Sequence, residues 1–107
     1  LEPTTRTALE KLADYRESIG DYRLEAEYLE KLLETDKRNT SLMLRLGSLC
    51  EKLRDKESAV KYLKRYLEVA PQGVEYEKVQ QKLAKLENTE MEQEEGLIDK
   101  IMRFFNK

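Results

Sequence analysis

The sequence predicts an all-α protein in which antiparallel helix pairs stack on one another. Apolar residues recur with helical spacing through most of the 107 residues, and only 4 glycines and 2 prolines interrupt them. In addition, Leu9 and Leu12 reappear as Met43 and Leu46, which gives a repeat period of about 34 residues. A repeat of this length corresponds to one helix pair, which cannot bury its apolar face alone and must stack on a neighbour.

The first helix pair is predicted from apolar spacing and one turn. Residues 6–19 form a helix, and Gly20-Asp21 suits a helix stop followed by the cap of the next helix. The second helix covers 22–35 and ends at the polar turn 36–39. The apolar positions of the pair are Leu9, Leu12, Ala13, Tyr15, Ile19, Tyr22, Ala26, Leu29, Leu32 and Leu33.

The second helix pair repeats this arrangement. Helices are predicted over 41–53 and 56–69, and Asp55 stands at the cap position that Asp21 occupies one repeat period earlier. Pro71-Gly73 ends the fourth helix. The apolar positions of this pair are Leu42, Met43, Leu46, Leu49, Cys50, Leu53, Ala59, Val60, Leu63, Tyr66 and Leu67.

A third pair is predicted with a less regular pattern. Its first helix covers 74–87, and its offset from the third helix is one residue short of the repeat period. Asn88-Thr89 is predicted to turn the chain before a sixth helix over 90–105. Gly96 inside that helix costs about 1 kcal/mol relative to alanine.

Composition argues against several functional classes. The net charge is −2, so no basic excess favours nucleic acid as a partner. The chain has no histidine, and its single cysteine, Cys50, lies on an apolar helix face where burial is expected. We therefore predict no catalytic site, no metal site and no cofactor. The longest apolar runs are a few residues and no signal peptide is visible, which favours a cytoplasmic location.

The second pair carries residues of specific size at specific intervals. Leu46-Gly47 is followed by Ala59, Leu63 and Pro71. This pattern resembles the tetratricopeptide repeat, whose small residues lie where the two helices of a repeat cross closely. In that arrangement Gly47 and Ala59 allow the crossing, Leu63 fills the space beside it, and Pro71 stops the second helix.

The resemblance divides the chain into repeats at 6–39 and 40–73, and it leaves 74–107 as a degenerate third repeat or a pair of capping helices. The first repeat departs from the pattern. Its small residue, Ala26, comes one position later than in the second repeat, which leaves Glu25 at the aligned position. The resemblance implies about two and a half to three repeats in a right-handed α-solenoid.

The resemblance also implies a non-enzymatic scaffold that binds a peptide or helix of a partner protein. The first helix of each repeat would line a concave groove, acidic at one end and basic at the other, which favours a segment of mixed charge. The groove lacks the cationic cluster with which some family members hold a peptide carboxylate. The expected groove residues are Glu10, Lys11, Asp14, Glu17, Leu44, Arg45, Ser48, Lys52, Lys78 and Lys82.

The C-terminal stripe of apolar residues admits several interpretations. It could cap the last face of the solenoid, or it could join two copies into a homo-oligomer, which is the alternative function that the sequence suggests. Docking on a partner or a membrane surface is a third interpretation, and the membrane form is weak because Asp99 interrupts the basic face. The stripe contains Leu97, Ile98, Ile101, Met102, Phe104 and Phe105.

Overall fold

The computed structural model describes the backbone of residues 2–105 and the side chains of residues 2–87 and 101–105. The described chain contains helices and no strand, so the predicted all-α class is confirmed. In chain order the helices are α1 (Pro3–Ser18), α2 (Tyr22–Thr35), α3 (Thr40–Lys52), α4 (Lys56–Val69) and α5 (Tyr76–Phe105).

Side-chain caps set the starts of three helices, as expected from the sequence at Asp21 and Asp55. The Asp21 carboxylate accepts a hydrogen bond from the backbone N–H of Leu24 at 3.3 Å, and Asp55 accepts one from Ser58 at 3.1 Å. Asn39 caps α3 in the same way. These bonds satisfy backbone donors that have no partner within the first turn of a helix.

The two turns within the repeats share a left-handed residue. Gly20 has a φ of 77°, a conformation that costs glycine nothing. Arg54 stands one repeat period after Gly20 and adopts a φ of 59°. Because the second turn keeps the same backbone path without glycine, the geometry of the helix pair dictates this conformation.

Consecutive helices pack against each other along the chain. The contacts join α1 with α2, α2 with α3, α3 with α4, and α4 with α5. The core lies in the middle of this stack, where α3 is covered on both sides. The most deeply buried large apolar side chains are Leu29, Met43, Leu46 and Leu63.

The crossing of α3 and α4 is closed by small residues, as the sequence predicts. A Cβ added to Gly47 would lie 3.1 Å from Cδ2 of Leu63, tighter than ordinary contact. Ala59 is completely buried on the facing helix. The packing reason for Gly47 and Ala59 is therefore visible in the structure.

The apolar face of α1 is largely exposed. Leu12 is 41% exposed and Ile19 is 53% exposed, whereas Met43 and Leu46, the equivalents of Leu9 and Leu12 in α3, are fully buried. The difference arises because α2 packs against α3 from the preceding repeat. Within the described residues, no helix precedes α1 to cover it in the same way.

The turn predicted at Asn88-Thr89 was wrong. The chain continues through these residues as one helix, α5, so a sixth helix over 90–105 does not start separately. Asparagine and threonine cost less than about 0.7 kcal/mol each inside a helix, and strong helix formers flank them on both sides. Without a glycine or proline at this point, the local sequence does not stop the helix.

The described end of the C-terminal stripe faces solvent. Ile101 and Met102 are about half exposed, and Phe104 and Phe105 are 76% and 77% exposed. The two phenylalanine rings contact each other edge to face, with centroids 5.9 Å apart. These side chains do not cover the core as a capping helix would. Leu97 lies outside the residues whose side chains are described.

Candidate functional site

Four of the predicted groove residues, two on α3 and two on α5, lie together. A cleft of about 300 Å³ opens between α3 and α5, with Leu63 of α4 and Val79 of α5 in its wall. Four of the expected groove residues line it, together with Glu75, which directly precedes α5. Those four are Leu44, Ser48, Lys78 and Lys82. The cleft combines an apolar floor with polar and cationic sides, which suits a peptide side chain.

Three carboxylates converge on one guanidinium where α1 and α2 meet α3. Nη2 of Arg45 lies 3.0 Å from Oδ1 of Asp14 and 2.8 Å from Oε2 of Glu17. Its Nε donates a hydrogen bond to Oε2 of Glu25 at 3.0 Å. We call Asp14, Glu17, Glu25 and Arg45 the first junction, because they connect the helix pair α1–α2 to α3.

Glu25 is the buried member of the first junction. It is 1% exposed, and its Oε1 has no hydrogen-bond partner. Burial raises the pKa of Glu25 above its usual value; the hydrogen bond and charge of Arg45 lower it only in part, and nearby Glu17 raises it further. A carboxylate oxygen in such a position is stabilised by an additional hydrogen-bond donor, by nearby positive charge or by a proton.

Arg45 keeps its charge in this setting. Burial of the guanidinium acts to lower the pKa of Arg45, but its hydrogen bonds to Asp14 and Glu25 raise that pKa above the ordinary value. Arg45 was predicted to face a partner across an open groove. In the structure it connects three helices of the chain, and its side chain is 30% exposed.

Sequence reasoning missed Glu25 as a site residue. Ala26 was chosen as the small residue of the first repeat, and it is buried, but Glu25 is buried more completely. The signal was present, because Glu25 stands one repeat period before the fully buried Ala59. A carboxylate at the crossing position of a repeat calls for a cation nearby.

A simpler contact connects the second repeat to α5. Nζ of Lys82 lies 3.0 Å from Oε2 of Glu51, and both side chains are partly exposed. We call Glu51 and Lys82 the second junction. Lys82 therefore bridges helices, as Arg45 does, and it also lines the cleft between α3 and α5.

The remaining expected groove residues occupy separate positions. Glu10 and Lys11 are exposed on α1. Lys52 at the end of α3 lies over the ring of Tyr22, with its Nζ 5.0 Å from the centroid. This cation–π contact turns Lys52 toward α2.

Other reactive groups have structural roles. Cys50 is buried, and burial raises the pKa of its thiol to about 11, so the thiolate is scarce at neutral pH. The Tyr62 hydroxyl donates a hydrogen bond to Glu30 at 3.0 Å, which joins α4 to α2. Across the residues that the structure describes, no three carboxylates or thiols are placed to hold a metal ion. No described helix has the length and hydrophobicity needed to cross a membrane.

Comparison with known families identifies the helix pair at the centre of the molecule. Residues 40–72, which contain α3 and α4, match the family model described as the tetratricopeptide repeat. This helix pair is similar to a tetratricopeptide repeat. The repeat's small residues, Gly47 and Ala59, are those that close the crossing of the two helices. No curated protein matches the chain. Tetratricopeptide repeats generally mediate contacts between proteins, and they are typically parts of non-enzymatic scaffolds.

Proposed function

We propose that this protein is a non-enzymatic scaffold that binds a peptide or helix of a partner protein along α1, α3 and α5. The observation that carries the proposal is the cleft between α3 and α5, where Leu44 and Ser48 meet Lys78 and Lys82. Residues on two different first helices contribute to one concavity, as a binding groove across repeats requires. The tetratricopeptide repeat at 40–72 supports the same role.

The charges along these helices favour a segment of mixed charge. Asp14 and Glu17 provide negative charge on α1, and their side chains are 68% and 56% exposed. Lys78 and Lys82 provide positive charge at the α5 cleft. A bound segment with a cationic part near α1 and an acidic part near α5 would match both ends.

The test is selection of binding peptides from a random displayed library on the intact chain, followed by affinity measurement. Ser48→Arg fills the cleft with a bulky cation without removing a buried contact, since Ser48 is exposed. This substitution should lower the affinity of the selected peptides by roughly tenfold or more. Glu68→Arg on α4 is the control, because Glu68 is exposed and does not line this cleft. Equal effects of the two substitutions would place binding elsewhere.

Arg45 and Lys82 are unsuitable for this test. Reversing the charge of either residue breaks a contact between helices as well as altering the groove. A loss of binding could then come from a change in the fold. Ser48 avoids this ambiguity.

Self-association is the second candidate, and the exposed end of α5 favours it. Phe104 and Phe105 present large apolar surface beside Ile101 and Met102, and such patches mark interaction sites. Light scattering over a range of concentrations should then show a mass above that of the 12.7 kDa chain. The Phe104→Asp substitution should lower the measured mass to that of the monomer. A wild-type chain that stays monomeric at high concentration excludes this candidate.

A further inference from the structure

The first junction holds more negative than positive charge. Asp14, Glu17 and Glu25 all contact Arg45, and Arg45 is the one cation found within ion-pair distance of them among the described residues. Glu10 lies one helical turn before Asp14 on α1 and is exposed. The carboxylates therefore outnumber the cation that connects them.

The donors of Arg45 do not satisfy every carboxylate oxygen. Its Nε bonds Oε2 of Glu25, and its Nη2 is shared between Asp14 and Glu17. Oε1 of Glu25 remains without a partner, in a side chain that is 1% exposed. A buried acceptor left in this way costs free energy, and an added positive charge nearby would reduce that cost.

We infer that the first junction is a subsite for a cationic side chain, lysine or arginine, of the bound segment. This inference rests on the proposed function and names the chemistry that one end of the groove selects. The exposed sides of Asp14 and Glu17 let an ammonium or guanidinium group bind both without unfolding the protein. Its charge would also relieve the repulsion between Glu17 and Glu25.

The same surplus is missing at the other end of the groove. One repeat period further along the chain, Ser48 replaces Asp14 and Ala59 replaces Glu25, so the second junction keeps only Glu51. Glu51 already pairs with Lys82. The cationic subsite is therefore confined to the α1 end, which would fix the direction in which a segment lies in the groove.

The probe is acetyl-triarginine amide, titrated into the isotope-labelled full chain and followed by NMR. Acetyl-tricitrulline amide is the neutral control with almost the same shape. Triarginine should shift the backbone amides of residues 14–17 and the Nε–H of Arg45 in a saturable way, and tricitrulline should not. Raising the salt concentration should weaken the binding, because exposed charges are screened.

Asp14→Asn combined with Glu17→Gln should weaken triarginine binding by about tenfold, since both charges are removed while acceptors for Arg45 remain. Glu27→Gln is the matched control, because Glu27 is an exposed acid on α2 outside the junction. Equal weakening by the control, equal binding of tricitrulline, or shifts confined to other helices would overturn the inference.

The two proposals fail in different ways. Displayed peptides that lose affinity with Ser48→Arg but show no enrichment of lysine or arginine would overturn the subsite and leave the groove in place. Conversely, a saturable triarginine site at residues 14–17, with no displayed peptide sensitive to Ser48→Arg, would support the subsite and overturn the wider groove.

Discussion

The first junction and the second junction connect successive parts of the helix stack by different chemistry. Both connect a glutamate at the same position, Glu17 or Glu51, to a cation on the next first helix. The second junction contains only this ion pair. The helix crossing beside it is apolar, with Ala59 fully buried. The first junction adds Asp14 and the buried Glu25. A repeat can therefore keep its shape while its crossing changes from apolar to charged.

The difference between the two junctions indicates how the cost of burying a carboxylate is offset by a nearby cation. At the crossing of α1 and α2, a buried carboxylate is tolerated because Arg45 reaches it from the next repeat at 3.0 Å. The first repeat is thus coupled to the second by electrostatics as well as by packing. Removing one partner of such a buried ion pair is strongly destabilising. This holds even where replacing both partners by apolar residues would leave the stability unchanged.

Ala59→Glu should have the largest effect, because it copies the first crossing into the second without the surrounding junction. Ala59 is completely buried, and the new side chain would carry both excess volume and a charge into that space. We expect a loss of about 3–5 kcal/mol in the free energy of unfolding, measured by urea denaturation. Glu25→Ala makes the reverse exchange and should change stability far less. Similar losses for both would show that the two crossings do not differ as described.

Arg45→Ala should follow, with a loss of about 2–4 kcal/mol, because it leaves Glu25 buried without its cation. Uptake of a proton by Glu25 limits the loss. In a Glu25→Ala background the same substitution should cost much less, since Asp14 and Glu17 are exposed. The measurement is a double-mutant cycle by urea denaturation. Additive losses would mean that Arg45 stabilises the junction by packing and not through Glu25.

Much of this architecture follows from local sequence, and that part was predicted. The repeat period, the aspartate caps at Asp21 and Asp55, and the small pair Gly47 and Ala59 depend on residues close in sequence or on a fixed repeat. The cleft is lined by Leu44 and Ser48 of α3 and by Lys78 and Lys82 of α5, and helical spacing places the two residues of each pair on one face of their helix.

The charge network could not be predicted in the same way. Helical position places Asp14, Glu17 and Arg45 on the same side of the solenoid, but it does not show that one guanidinium reaches carboxylates on two other helices. Glu25 was overlooked because Ala26 beside it suits the crossing better by size. The continuation of α5 through Asn88 was not predicted, because Asn88 and Thr89 were interpreted as a turn. These residues are weak helix formers, but they do not end a helix by themselves.

The stability of the chain should depend on pH through Glu25, in a direction set by burial. The pKa of Glu25 is raised in the folded protein above the ordinary value of 4.5, so the folded state holds this proton more tightly than the unfolded chain. Its contribution to stability is therefore fully present below about pH 4.5 and is lost as the pH rises through the raised value.

Glu25→Gln isolates this contribution, because glutamine resembles the protonated acid and cannot titrate. The free energy of unfolding of the wild type, relative to that of Glu25→Gln, should fall as the pH rises from about 4 to about 7 in parallel urea denaturations. The pKa of Asp55 is lowered by its hydrogen bonds to Ser58, and its opposite pH dependence cancels because both proteins contain it. A difference that rises with pH would mean that Arg45 outweighs burial at Glu25.

Lys82→Ala should have the smallest effect, although it removes the equivalent contact at the second junction. The Lys82 and Glu51 side chains are 42% and 29% exposed, so water solvates Glu51 when its partner is lost. We expect a change below about 1 kcal/mol in urea denaturation, as for other partly exposed pairs. A loss as large as that of Arg45→Ala would show that the bridge between repeats matters at both junctions regardless of burial. A small loss would assign the cost at the first junction to the buried carboxylate, because Glu17 and Glu51 occupy the same repeat position and Glu25 has no acidic counterpart.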